Sequence, residues 1–212
     1  MRAMRSAIVG LAAVSLAACS SGGMAMHEGS STPLAQEVRR ATEKYQDVSA
    51  ATGAGYALFL GCVSSPQDGA MGIHYVNADL VGDGKLDAAR PEALMYEPKG
   101  GKLELVGVEY IVIAAAWDGA NKTPPTLMGQ LFHYNSSPNR YGIPAYYALH
   151  VWAWRRNPRG VFMDWNPVKT SCFLVRTFWS SRISPSCSWV YRQYASKLAT
   201  RSRRLAAVKI ER

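Results

Sequence analysis

The sequence predicts an α+β domain, one N-terminal helix packed on a curved antiparallel sheet or small barrel. Three observations carry this. Residues 34–52 (LAQEVRRATEKYQDVSAAT) place Leu34, Val38, Ala41, Tyr45 and Val48 three to four positions apart, with charges on the opposite face, which is the period of a helix with one buried stripe. Beyond Gly53 and Gly55 the pattern changes to short apolar runs punctuated by Gly and Pro, the mark of antiparallel strands. The chain is 48% hydrophobic and 18% charged over 212 residues, too apolar to stay unfolded and long enough for a core of its own.

The elements follow in order. Thr32 is an N-cap and Pro33 fits the first helical turn, where a missing amide hydrogen costs nothing. Strands are expected at 56–63 (YALFLGCV), 70–76 (AMGIHYV), 103–116 (LELVGVEYIVIAAA), 127–134 (LMGQLFHY) and 145–154 (AYYALHVWAW). The stretch 79–98 reads as a turn-rich connection with one helical turn or an edge strand. Within it, Asp79, Asp83 and Asp87 lack the alternation of ligands and the distal Glu that a calcium loop needs, so Asp83-Gly84 is read as a turn. Asn157-Pro158-Arg159-Gly160 reads as a turn leading back to Val161-Phe162.

The charge is unevenly placed. The formal net charge is +9, but the last forty residues hold nine basic residues against one acidic, and residues 19–172 are close to neutral. A basic tail on a neutral body does not make a nucleic-acid-binding fold. The pattern over residues 189–210, with Tyr191, Tyr194, Leu198 and Leu205 on one side, can be wound as a basic amphipathic helix, which would suit anionic lipid. Against this, the first fifteen residues of the tail show no clean period, which favours a stretch that is not a selected sequence, such as translation in a shifted frame.

Residues 1–18 hold Arg2 and Arg5 and then an apolar run too short to span a bilayer, in the order of a secretory signal. The run ends in Leu16-Ala17-Ala18-Cys19, which resembles the lipobox of bacterial lipoproteins. The resemblance implies cleavage before Cys19, acylation of Cys19, and a durable membrane anchor, since each buried methylene contributes about 0.8 kcal/mol. With Ser20 next, it also implies sorting to the outer membrane, facing the periplasm. Residues 19–33 then form a Ser/Gly-rich tether containing His27, residues 34–172 the domain, and 173–212 the basic tail.

Removing Cys19 leaves Cys62, Cys172 and Cys187 in an oxidising compartment. A Cys62–Cys172 bridge would tie an early strand to the end of the body, closing a loop of about 110 residues, with Cys187 left over. There is no C-x-x-C pair, which argues against thioredoxin-type chemistry and c-type haem.

The domain's histidines, His74, His133 and His150, each sit in or beside an expected strand. Glu109 interrupts Leu105-Val-Gly-Val-Glu-Tyr-Ile-Val-Ile113, where its period-2 companions are Leu105, Gly107, Ile111 and Ile113. A carboxylate on that face needs a partner, a proton or a cation. His74, Glu109 and His150 on rigid strands suit Zn²⁺ or, as a facial triad, Fe(II), with open positions for water or substrate. His133 is a further nitrogen donor to the metal or to an anionic substrate, and Asn77 and Tyr110 stand where they would hydrogen-bond the ligands. Two other readings stay open: a purely structural His/Glu cluster, and a metal-free acid–base or ligand-binding site.

The segment 149–167 (LHVWAWRRNPRGVFMDWNP), with residues 69–77 (GAMGIHYVN), 90–98 and 105–110 (LVGVEY), resembles a family of uncharacterised secreted bacterial proteins over about residues 38–172. The resemblance implies those domain limits and the same choice of His74, Glu109 and His150, and it brings no reaction with it. The function these readings point to is an envelope lipoprotein with a metal site. The alternative is a metal-free interaction module that holds an envelope partner through the aromatic segment 149–167.

Overall fold

A computed structural model describes residues 32–168 of the protein. It opens with α1 (Pro33–Thr42), where the Thr32 hydroxyl accepts from the Ala35 amide at 3.3 Å. The one continuous helix expected over 34–52 is instead three pieces: α1, a 3₁₀ turn (Glu43–Gln46) and α2 (Val48–Gly53). Asp47 makes the break. Its backbone is extended and its carboxylate accepts from the Ser49 amide at 2.9 Å, so the side chain starts a second helix rather than continuing the first. The Tyr45 carbonyl, within the turn, accepts from the Tyr96 hydroxyl at 2.7 Å.

Eight strands follow among the described residues: β1 (Ala57–Ser65), β2 (Gly69–Val76), β3 (Ala93–Lys99), β4 (Lys102–Ile113), β5 (Thr126–Leu127), β6 (Gln130–Leu131), β7 (His133–Asn135) and β8 (Tyr146–Val151). Six of them form one curled antiparallel sheet in the order β1-β2-β3-β4-β8-β7, and β5 and β6 make a separate hairpin. The α+β class and the curved sheet are therefore both present. Two short helices complete the described chain, α3 (Ala78–Asp83) and α4 (Ala114–Asp118). No helix among the described residues is long and apolar enough to cross a membrane.

Four expectations need correction. Residues 93–99 are not an edge: β3 lies inside the sheet between β2 and β4, with Ala93 to Tyr96 fully buried. The strand expected to run to residue 116 ends at Ile113, because three alanines in succession favour the helix that becomes α4. The strand expected over 127–134 is divided by Met128 and Gly129, both at positive φ, which fold β5 onto β6 through a two-residue turn. Residues 152–154 leave the sheet, and the amides of Trp154 and Arg155 both donate to the Val106 carbonyl at 3.1 Å. The Asp83-Gly84 turn is the left-handed cap of α3, with Gly84 at φ 70°.

The sheet has two buried faces. Leu94, Tyr96, Val108, Tyr110, Leu149 and Val151 share one apolar cluster with Leu34, Ala35 and Val38. On the other face Ala93, Ile111, Ile113, Tyr146 and Ala148 cluster with Val81 of α3. The leader, Cys19, most of the tether, Cys172, Cys187 and the basic tail lie outside the described residues. Cys62 lies on β1, and the far end of its expected bridge, Cys172, is among the residues outside.

Candidate metal centre

Strand register brings the site together. Glu109 on β4 is paired with Ala93 on one side and His150 on the other, and His74 on β2 is paired with Met95. Directly paired residues point to the same face, so His74, Glu109 and His150 share one, with the single methyl of Ala93 in the row between β2 and β4. Gly107 helps to hold the register: a Cβ there would lie 2.5 Å from the Val151 carbonyl oxygen and 2.7 Å from Met95 Cε.

All three side chains are buried, at 6%, 7% and 3% exposure for His74, Glu109 and His150. One ligand atom from each lies within 4.8 Å of the others. His74 Nε2 stands 3.5 Å from Glu109 Oε2, and His150 Nε2 stands 3.8 Å from Glu109 Oε1. The two imidazole rings meet edge to face, their centroids 6.3 Å apart. His74 Nδ1 and His150 Nε2 are buried without a hydrogen-bond partner among the described residues. Orphaned ring nitrogens are costly in an apolar interior, so this cluster is not closed on itself.

Asp164, which the sequence did not single out, completes the arrangement. Its Oδ1 lies 3.1 Å from His150 Nδ1 and 3.1 Å from His133 Nδ1. Asp164 belongs to no strand. The loop holding it is fixed by Trp152 Nε1 donating to the Met163 carbonyl at 2.6 Å and by Asn157 Nδ2 donating to the Trp165 carbonyl at 3.1 Å. A two-way backbone pairing of Asn166 with Ala70, at 3.0 Å each way, docks the loop on β2. Gly69 permits that docking, because a Cβ there would come within 2.0 Å of the Asn166 carbonyl oxygen.

The charges follow from this layout. Burial pushes the His74 imidazolium down to about 3, helped by the neighbouring His150, so His74 is neutral. Burial also works against charge on His150, but Glu109 and the Asp164 hydrogen bond outweigh it and hold its pKa above the ordinary histidine value. Burial raises Glu109, with His150 opposing. Asp164 is lowered despite its burial, by its bonds to His150 and His133. An ionised carboxylate only accepts, so His150 donates from Nδ1 and presents Nε2 to the cluster.

The other expected site residues are placed elsewhere. His133 is half-exposed on β7, outside the group of three, and reaches it only through Asp164. The Asn77 side chain caps α3, accepting from the amides of Asp79 and Leu80. Tyr110 points to the opposite face of β4, where its hydroxyl donates to the Ala88 carbonyl at 2.6 Å. In the aromatic segment, Trp152 is buried and Trp154 Nε1 donates to the Thr42 hydroxyl at 3.1 Å.

An apolar cavity of about 60 Å³ adjoins the cluster. His74 and Glu109 are in its wall together with Phe59, Val81, Ile111, Tyr141, Ile143 and Tyr146. No protein-family model, curated protein or solved structure matches the chain.

Proposed function

We propose that this protein is an envelope lipoprotein, anchored through Cys19, whose domain of residues 34–172 binds a transition metal through His74, Glu109 and His150. One observation carries the metal reading: three buried donors face one another at distances too long for hydrogen bonds, with His150 Nε2, on the side of the cluster, left without a hydrogen-bond partner among the described residues. Around a tetrahedral ion with bonds of about 2.0–2.2 Å, neighbouring ligand atoms stand roughly 3.3–3.6 Å apart. The 3.5 Å and 3.8 Å separations, to the two oxygens of Glu109, are near that spacing, and the whole set, within 4.8 Å, would draw in slightly around an ion. The Asp164–His150 bond supports the same reading, because a metal-bound imidazole usually donates its other N–H to a carboxylate or carbonyl.

Two nitrogens and one carboxylate oxygen suit Zn²⁺, or Fe(II) as a facial triad. When bound, the metal would supply Lewis acidity. The chain's own part is to fix the donors on three strands and to exclude water behind an apolar wall. The lipid anchor rests on the lipobox and on the tether that follows it.

The test is elemental analysis of the purified full chain after reconstitution with Zn, Fe, Cu and Mn in turn. The expected result is close to one ion per chain, lost in the His74→Ala/His150→Ala double variant while the circular dichroism spectrum is kept. Absence of stoichiometric metal in the parent protein overturns the reading. For the anchor, Cys19→Ser should release the protein from the membrane fraction, and unchanged fractionation would contradict it.

A further inference from the structure

We infer that the cavity beside the metal centre is a binding site for a short-chain organic anion, whose carboxylate would complete the metal's ligand set and whose branched alkyl tail would fill the apolar wall. The inference rests on the metal reading above and goes further by naming the class of ligand.

Three observations lead to it. First, the described cluster offers three donors, and a tetrahedral ion needs a fourth. His74 and Glu109 lie in the cavity wall and His150 does not, so a molecule in the cavity reaches the cluster from the His74–Glu109 side. The rest of that wall is apolar apart from two phenol hydroxyls, that of Tyr141, directed to Met71 Sδ at 3.6 Å, and that of Tyr146. A neutral phenol is a poor metal ligand, so the fourth donor from this side is assigned to a guest molecule or to water.

Second, charge favours an anion. Two neutral imidazoles and one carboxylate leave a divalent ion with one positive charge uncompensated by its own ligands. Burial in an apolar wall makes that excess costly, and one anionic head would remove it. Asp164 lies beyond His150, so its charge is felt across the imidazole but it takes no place among the ligands, and the open position itself stays without an anion.

Third, the wall selects the tail. The cavity of about 60 Å³ has room for a short chain rather than a single water. Phe59, Val81, Ile111 and Ile143 offer that tail no hydrogen-bonding side chain. With only the Tyr141 and Tyr146 hydroxyls to offer, the wall would leave most polar groups of a sugar unpaired, whereas a branched short-chain acid has none in its tail.

The experiment uses the full chain loaded with Co(II), whose visible absorption bands report directly on the ligand set. Acetate, isobutyrate and isobutanol are then titrated in. Isobutyrate is expected to shift the bands saturably and to bind about tenfold more tightly than acetate, the fold-change for burying two more carbons. Isobutanol, which has the tail without the anion, is expected to leave the bands unchanged. Ile143→Phe, which fills the cavity from a loop rather than from a strand, should still take up Co(II) and acetate but lose the preference for isobutyrate. Normal Co(II) uptake with no preference for isobutyrate over acetate in the unaltered protein overturns the inference and leaves the metal reading standing. Failure to take up Co(II) at all is visible at the first step and overturns both.

Discussion

His150 Nδ1 and Asp164 Oδ1 stand 3.1 Å apart, joining a buried ring on β8 to a carboxylate on a loop that is bonded to β2. The contact fixes the tautomer that turns Nε2 toward Glu109, the nitrogen that would serve the proposed metal. Asp164→Asn keeps an acceptor but loses the charge, and Asp164→Ala loses both. The expected weakening of Zn²⁺ binding spans about 10- to 100-fold, with alanine at the upper end. Competition titration against a chromophoric chelator measures it. His133→Ala, which removes only the outer partner of Asp164, should change the affinity little. Equal losses in all three variants would contradict a specific role for Asp164.

Metal binding should be pH-dependent, with a predictable sign. Glu109 and Asp164 hold the His150 pKa above the ordinary histidine value, so below that point a proton occupies the nitrogen the metal needs. Each ion bound then displaces one proton, and affinity should rise about tenfold per pH unit before levelling off. Zn²⁺ titrations across the histidine range test this, and a flat profile would rule out His150 as a ligand that binds in competition with its proton.

Glu92 supplies a prediction about stability alone. It is 1% exposed, its carboxylate accepts from the Ile111 amide at 3.0 Å, and burial raises its pKa from 4.5 to about 8. Between pH 4.5 and about 8 the folded protein keeps a proton that the unfolded chain has released. Stability therefore falls as pH rises through this window and levels off above it. Glu92→Gln keeps an acceptor for Ile111 and removes the ionisation. The loss across the window is about 1.4 kcal/mol for each pH unit. The variant should therefore be more stable than the parent by a few kcal/mol above pH 8 and equal to it near pH 4. Chemical denaturation at several pH values reads out the difference.

Gly107→Ala tests the register. The new methyl would press on the Val151 carbonyl oxygen and on Met95, and a backbone atom cannot swing aside. The expected cost is about 1–3 kcal/mol, seen as a lower melting temperature. Because Val151 follows His150, the same shift should separate His150 from Glu109 and weaken metal uptake. Normal metal affinity in this variant would show that the site tolerates a displaced β8.

Part of this architecture is legible in the sequence for a physical reason. Glu109 stands out because strand alternation makes its face readable from its neighbours, and the lack of any partner within its own strand directs attention to His74 and His150. Asp164 gives no such signal. Its position depends on Trp152, Asn157 and Asn166 bonding to backbone atoms of a loop, and no periodicity records those bonds. β3 is hard to see because residues 91–98 begin and end in Pro and carry Glu, Ala, Leu and Met, which favour other conformations. Its strand character comes from having β2 and β4 on either side. Asp47 is hidden as a cap because the apolar period runs straight through it.

The three candidate ligands come from residues 74, 109 and 150, on three separate strands, and no two are close in sequence. A ribosome has to make most of the domain before the last of them exists, and β8 has to pair with β4 before it faces the other two. No partial chain holds the full donor set, so an emerging chain has little with which to capture an ion early. An ion held by these three side chains would therefore be chosen late, from whatever ions are present where folding ends. Moving that final pairing to a different compartment would change which ion the same three side chains acquire.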